Sequence, residues 1–319
     1  MSIVLLSSGV AVFMFGMLLI KQTLGETFSE KSGKMLRRFT KGRLSALASG
    51  TLITALLQSS SAVSVLTAAF ADRGIISLYK AMWIIVGANL GTTFTGMLTG
   101  LPFSDAASFS CVVGVGLISF SKKKNAVSAG YFLTGFGLLF VGMDMMEAAA
   151  GELRHSAVLY DILKGSSAPL TGLLTGSFFT ALIQSSSAVT ALLQTMAEDG
   201  IIGINQAFYI ILGANIGTCA TCFIASRTLG GAARRVAVMH VLYNLCGSLI
   251  FVVIAEIFPL TEIAMRLFPG EIKLQTGFLN VFFNGTCALL MLLLPIKEGN
   301  FLTGENKKQH LHLRYNMVK

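Results

Sequence analysis

LITALLQSSSAVSVLTAAF occupies residues 52–70, and FFTALIQSSSAVTALLQTM occupies residues 178–196. Both stretches are apolar on either flank and polar at the centre. The centres are Gln58-Ser59-Ser60-Ser61 and Gln184-Ser185-Ser186-Ser187, 126 positions apart. Bare polar groups are costly in hydrocarbon unless something satisfies them. A chain that carries this cost twice, at matched places, is building one binding site from two copies of a unit.

The register extends outward from the tetrads. Between 58–96 and 184–222, 20 of 39 positions are identical at the same offset, which marks an internal duplication. Gly87-Ala88-Asn89-x-Gly91-Thr92 falls on Gly213-Ala214-Asn215-x-Gly217-Thr218, and Thr95 falls on Thr221. Upstream, Gly16-Met17 matches Gly142-Met143.

Composition sets the class. The chain has 319 residues, 54% of them hydrophobic and 12% charged, which fits a polytopic helical membrane protein. The long continuous apolar runs exclude the alternation of a transmembrane β-barrel. Residues 3–20 read as a retained helix rather than a signal peptide, because no basic residue precedes Lys21 and no small-residue cleavage site follows. The net charge of +9 follows the membrane and is not a nucleic-acid footprint. Cys219-x-x-Cys222 lacks a second Cys pair or a His ligand set, so the five cysteines read as packing residues.

Apolar runs predict full spans at 3–20, 78–98, 106–121, 126–146, 204–225, 234–256 and 274–295. Segments 47–71 and 170–197 differ. Each has two apolar arms of about ten residues around a tetrad, and such an arm reaches only about halfway through the hydrocarbon. Each is predicted to be a re-entrant hairpin, with a single broken crossing helix as the alternative. With hairpins and the N-terminus outside, 20 of the 24 basic residues fall on the cytoplasmic side. With crossings the split falls to 17 against 7, so the positive-inside rule favours hairpins. Three full crossings then separate the two copies, and the copies face opposite ways.

The predicted fold is therefore an all-α polytopic membrane protein of two inverted-topology repeats, each with a re-entrant helical hairpin and a broken transmembrane helix. Repeat 1 covers 1–121 and repeat 2 covers 122–258. A last transmembrane helix at 274–295 precedes a basic cytoplasmic tail at 296–319, and the protein sits in the cell membrane.

Tips of this kind leave backbone N–H groups free, and helix N-termini carry partial positive charge. Serine hydroxyls both donate and accept. The triplets Ser59, Ser60, Ser61 and Ser185, Ser186, Ser187 thus suit an oxyanion with sodium alongside. The Gln58 and Gln184 side-chain oxygens are hard neutral ligands for an alkali cation. In the Gly-Ala-Asn-x-Gly-Thr segments, glycine lets the backbone leave helical geometry, and the freed carbonyls with Asn89, Asn215, Thr92 and Thr218 can coordinate Na+. Close helix packing through small residues is the plainer alternative. No carboxylate accompanies the motifs. Asp144, His240 and Glu256 are the titratable groups in or near spans, the two carboxylates being expected at span ends, so sodium coupling is favoured over proton coupling.

Paired Gln-Ser-Ser-Ser tetrads, each followed by Gly-Ala-Asn-x-Gly-Thr, resemble the bacterial branch of the type II sodium-dependent phosphate cotransporter family over about residues 1–295. The resemblance implies Na+-coupled uptake of inorganic phosphate by alternating access, with no cofactor beyond the coupling ion. It implies phosphate contact at the six serines. It implies sodium at Gln58, Gln184, Asn89, Thr92, Asn215, Thr218 and Thr221. Two departures stand out. His240-x-x-Tyr243-Asn244 in the second half faces Gly114, Leu117 and Ile118 in the first, and only a short basic tail follows the last span. Among rivals, a carrier of another oxyanion or a dicarboxylate stands closest. A passive channel and a serine-nucleophile enzyme stand further off, since the tetrads are not in G-x-S-x-G and no His or Asp base lies near them.

Overall fold

The computed structural model describes residues 2–28, 42–100, 104–153 and 168–296. The basic tail, the 29–41 cluster of Lys and Arg, and Arg154 and Lys164 lie outside the described residues. Every regular element among those described is helical: α1 (Ser2–Phe28), α2 (Arg43–Leu57), α3 (Ser60–Asp72), α4 (Leu78–Thr99), α5 (Ser104–Phe120), α6 (Lys124–Leu153), α7 (Pro169–Ile183), α8 (Ser186–Glu198), α9 (Ile204–Gly217), α10 (Cys219–Ser226), α11 (Gly231–Ile257), α12 (Leu260–Leu267) and α13 (Ile272–Leu293). The helix α12 was not foreseen. Five helical stretches are long and apolar enough to cross a membrane: 78–99, 124–146, 204–226, 231–257 and 272–293. The forecast spans 3–20 and 106–121 fall in α1 and α5, whose apolar stretches Val4–Ile20 and Phe109–Phe120 are shorter than those five.

The duplication is visible in the backbone. Shifting α2 and α3 by 126 positions lands on α7 and α8 with no change of boundary. The segment 78–99 lands on α9 and α10 together.

Glycine decides how these helices approach. A Cβ on Gly87 would lie 1.9 Å from the Leu47 carbonyl oxygen, one on Gly50 2.1 Å from that of Ile84, and one on Gly91 2.5 Å from that of Thr51. The second copy repeats this, with Gly176 against Ile210 and Gly213 against Leu173. Backbone therefore packs on backbone, as small residues permit between apolar helices. From Gly87 on Leu47 to Gly91 on Thr51, and from Gly213 on Leu173 to Gly217 on Ser177, both numbers rise by four, so α2 runs parallel to α4, and α7 to α9. With its end beside the end of α4, α2 can connect to the start of α4 only if α3 carries the chain back. At 1.5 Å per residue the arms are about 22 and 20 Å long, short of a ~30 Å hydrocarbon core.

This corrects the expectation that Gly-Ala-Asn-x-Gly-Thr breaks its helix. In the first copy α4 continues through Gly87–Thr92 without interruption. In the second, only Thr218 stands between α9 and α10; it keeps right-handed helical angles, and its N–H still reaches the Ala214 carbonyl. The glycines serve close approach, not helix breaking.

The twin helices α1 and α6 run antiparallel, with Gly9 against Gly142 and Gly16 against Gly135. Their interface carries a core of Phe13, Met17, Leu139, Phe140 and Met143, onto which Ala188 and Ala191 of α8 pack. A second core joins α2, α3 and α4 to Ala233, Val236 and Ala237 of α11.

Gly87→Ala is expected to cost about 2 kcal/mol or more, because the methyl meets backbone that cannot rotate away. Gly116→Ala, with open space where its Cβ would go, is expected to stay within about 0.5 kcal/mol. Thermal unfolding in detergent measures both. Equal melting temperatures for the two variants would refute the close-approach account.

Candidate functional site

Both tetrads sit at the turns between short helices. Leu57 ends α2 and Ile183 ends α7, each followed by a glutamine in the left-handed region: Gln58 at φ 51°, ψ 34° and Gln184 at φ 59°, ψ 21°. Among the described residues no other non-glycine has positive φ. Glutamine gains no help from its side chain in this conformation, unlike Asn, so each costs of order 1 kcal/mol or more and persists because the surroundings fix it.

The next residue then caps the returning helix. Ser59 and Ser185 are extended, and each hydroxyl oxygen accepts from the N–H three residues on, Ala62 or Ala188, at 3.2 Å. Loss of such a cap costs about 1 kcal/mol. Ser60, Ser61, Ser186 and Ser187 occupy the first turn, where backbone N–H groups have no carbonyl one turn behind them to bind. Ser60, Ser186 and Ser187 are buried. A set of N–H and O–H donors at the positive end of a helix fits a tetrahedral oxyanion.

The Gln58 side chain is held at both ends. Its Nε2 donates to the Ala55 carbonyl, and its Oε1 accepts from the Thr95 hydroxyl. Thr95, missed from the sequence although its twin Thr221 was named, is thus the partner at the first tip. Thr92 instead donates to the Ala88 carbonyl at 3.0 Å, and Thr218 to the Ala214 carbonyl at 2.9 Å. Thr221 donates to the Thr218 carbonyl, and Gln184 is exposed. The second tip therefore repeats the backbone of the first, not its side-chain closure.

One step from Thr95, Gly96 contacts the second copy. A Cβ there would lie 3.4 Å from Thr190 Cγ2, and the Gly96 carbonyl accepts from Gln194 Nε2 at 2.8 Å. The matching contact joins the Cys222 thiol to the Ser64 carbonyl at 3.7 Å. Cys222 is the twin of Gly96, and Ser64 the twin of Thr190. Thr190 and Ser64 each follow a serine tip by one helical turn, so each copy's tip region leans on the other's long helix.

Asn89 and Asn215 do not face the tips. Each is buried in an amide cluster. Asn89 donates to Asn244 Oδ1 at 2.7 Å, and its Oδ1 faces His240 Nε2 at 3.4 Å. Asn244 in turn donates to the Cys219 sulfur. His240, expected as a hydrogen-bonded packing residue rather than a proton relay, is buried against Asn89. Asn215 meets Asn280 and Asn284 of α13. Sequence reasoning missed both, although their i, i+4 spacing within an apolar run repeats that of His240 and Asn244. It also missed Gln194, which binds Thr99, Gly96 and the Lys273 carbonyl. Glu256 near the end of α11 accepts from the Tyr209 hydroxyl at 2.6 Å, and Asp144 is exposed. No group of three metal-ligating His, Cys, Asp or Glu side chains occurs among the described residues.

The profile of the Na+/Pi-cotransporter family matches residues 12–148 and 154–267. The chain belongs to the Na+/Pi-cotransporter family. With five long apolar helices it is a multi-pass membrane protein. The uncharacterized protein YqeW of Bacillus subtilis is 30% identical over 283 residues, covering 88% of this chain and 91% of that protein. The putative inorganic phosphate export protein YjbB of Escherichia coli is 27% identical over 290 residues, covering 90% of this chain and 52% of YjbB. This chain thus spans about half the length of YjbB. The rat sodium-dependent phosphate transport protein 2A is 36% identical over 103 residues, or 31% of this chain and 16% of the rat protein. No solved structure matches the chain.

For this member of the Na+/Pi-cotransporter family, the left-handed glutamines are the strained part of the site. Gln184→Gly is expected to raise stability by about 1 kcal/mol, since its side chain is exposed and glycine adopts the turn freely. Chemical or thermal unfolding in detergent measures this. Destabilisation would mean that the Gln184 side chain holds the turn.

Proposed function

We propose that this protein is a sodium-coupled secondary transporter that imports inorganic phosphate by alternating access. The observation that carries the proposal is the pair of matched tips. Each carries helix-N-terminal amides and serine hydroxyls directly after a left-handed glutamine, and each is braced by the long helix of the other copy. In this reading Ser59–Ser61 and Ser185–Ser187 hold phosphate, with Gln58, Thr95, Gln184 and Thr221 among the sodium ligands. Asn89, Thr92 and Thr218 position the long helices or lend backbone oxygen. Neutral donors suit a carrier, which must release its cargo; a bidentate arginine would retain it. Coupling is required because a negative interior opposes anion entry by ~2.3 kcal/mol per charge per 100 mV.

The two copies are proposed to be inverted repeats with re-entrant hairpins. Antiparallel α1 and α6 support inversion, since they are twins. The parallel run of α2 beside α4 supports a hairpin, as does Asp72 Oδ2, which accepts from the Gly230 N–H at 2.9 Å. If 47–71 and 170–197 crossed the membrane, Asp72 and Gly230 would lie on opposite faces. The N-terminus is then outside and the C-terminus cytoplasmic. Asp144 and Glu256 play no part in coupling.

Import is the direction to test, because one relative is named for export. Uptake of ³²P-phosphate into proteoliposomes is expected under an inward sodium gradient and not under an equal potassium gradient. Ser60→Ala and Ser186→Ala are each expected to reduce it at least about a hundredfold, as loss of a hydrogen bond to a charged group costs about 1.5–3 kcal/mol at each of binding and coupling. Unchanged uptake in both variants would remove the paired-tip site. Phosphate efflux against its gradient, with no sodium dependence, would favour the export reading.

In a cysteine-free background, Lys123→Cys is expected to react with membrane-impermeant maleimide only from the cytoplasmic side. Reaction from outside would overturn the hairpin topology.

A further inference from the structure

The duplication sets up a comparison that isolates one cluster. Asn89 and Asn215 are twins, and each is met by an i, i+4 polar pair on a neighbouring helix. For Asn89 the pair is His240 and Asn244 on α11. The twin positions on α5 are Gly114 and Ile118, which supply nothing polar. For Asn215 the pair comes instead from α13, as Asn280 and Asn284.

The two clusters close differently. Around Asn89 the amide itself is closed: its N–H meets an amide oxygen and its own oxygen faces a ring nitrogen, the unpartnered atom there being His240 Nδ1, a ring nitrogen rather than an oxygen. Around Asn215 oxygen is in excess. Asn284 Nδ2, with two hydrogens, faces three acceptors: Asn280 Oδ1 at 2.9 Å, the Asn280 carbonyl at 3.0 Å and Asn215 Oδ1 at 3.3 Å. Asn280 Oδ1 is also approached by Asn215 Nδ2 at 3.5 Å. Meanwhile Asn284 Oδ1 is buried with no hydrogen-bond partner, on a side chain 1% exposed. A buried carbonyl oxygen left unpaired costs about 1–3 kcal/mol, and an overloaded donor does not offset it. Turning the Asn284 amide over would bring its oxygen among the other three. Without a cation that rotation gathers four oxygens around one point, and the donor still in reach, Asn215 Nδ2, is already bound to the Ile211 carbonyl at 2.9 Å and stands 3.5 Å from Asn280 Oδ1. With a small cation at the centre all four are satisfied.

We propose that Asn215 Oδ1, Asn280 Oδ1, the Asn280 carbonyl and Asn284 Oδ1 form a binding site for one sodium ion, contributed largely by the last long helix and separate from the serine tips. The proposal rests on the sodium-coupled reading above and adds a site outside the duplicated tetrads. The ligands are neutral oxygens, so the site takes a monovalent ion; a divalent ion so deep in the span requires carboxylates to offset its dehydration. Asn215 lies midway along the 204–226 stretch, and Asn280 and Asn284 lie midway along α13, so an ion there joins α9 to α13 at mid-membrane depth. The competing account is interhelical hydrogen bonding alone.

Binding of ²²Na+ to purified protein in detergent, without phosphate, tests the site. Wild type is expected to bind one more sodium per chain than Asn284→Leu, with lithium competing and potassium competing poorly. Asn284→Asp separates the two accounts. It loses the amide donor but keeps an oxygen and adds charge, so it is expected to lower the half-saturating sodium concentration by about tenfold. If the cluster were only packing glue, the aspartate would weaken it and sodium affinity would not rise. Should Asn284→Leu fail to fold, Asn280→Asp, expected to tighten sodium binding in the same way, decides together with Asn284→Asp. Equal sodium stoichiometry in wild type and Asn284→Leu overturns this site and leaves sodium-driven uptake untouched. A wild type that binds no sodium overturns both.

Discussion

A helix that ends inside an apolar interior leaves four carbonyls and four amides without partners, and in hydrocarbon no water is present to supply them. Much else in this protein answers that constraint at two places. α2 stops at Leu57 and α3 starts at Ser60, so only two residues are available to reverse the chain. Gln58 takes the left-handed turn and hands its side chain to Ala55 and Thr95; Ser59 caps the returning helix. These contacts satisfy part of the debt of unpaired groups. The first-turn amides and the hydroxyls of Ser60 and Ser61 remain as donors, and an anion is the partner that such a remainder fits. The same backbone turn and serine cap recur at Gln184–Ser187, so the polar cost of the fold and its donor chemistry are one feature.

The close glycine contacts follow from the same constraint. An arm of about 20 Å buries little surface of its own, and lipid gives no hydrophobic drive to press it onto a neighbour. Backbone-to-backbone approach at Gly50, Gly87 and Gly91 gives α2 a dispersion contact dense enough to hold it in register with α4. That register brings Gln58 to Thr95. A shift of one residue would carry Gln58 away from the hydroxyl that closes its side chain.

Much of this was legible in the sequence, and the misses share a cause. The short arms, the tetrads at their junctions and the duplication were readable because each is a local pattern repeated at a fixed offset. The role of Gly87 and Gly91 was misread because a missing Cβ frees the backbone and also admits a neighbour; which applies depends on Leu47 and Thr51, some 40 positions away. Thr95 was passed over for Thr92 for the same reason: the partner that selects it, Gln58, belongs to a different helix. Asn280 and Asn284 were invisible to a search built on the repeat, because α13 follows the second copy and has no twin. Their only local signal was two amides one turn apart in an apolar run.

That last miss bears on how the halves differ. The repeats agree in backbone down to helix boundaries, yet their polar closures diverge: Asn89 is met by α11, Asn215 by α13, and Gln58 is closed by Thr95 while Gln184 stays exposed. Two inverted copies with identical side chains would give inward- and outward-facing states related by symmetry and equal in free energy. A ligand can bias such an equilibrium only through contacts that differ between the states. The serines and the backbone of the turns stay matched, while the glutamine closures and the polar groups on neighbouring helices do not. On the proposed reading, a cargo-binding surface common to both states and set in unequal polar surroundings would let a coupling ion favour one state over the other.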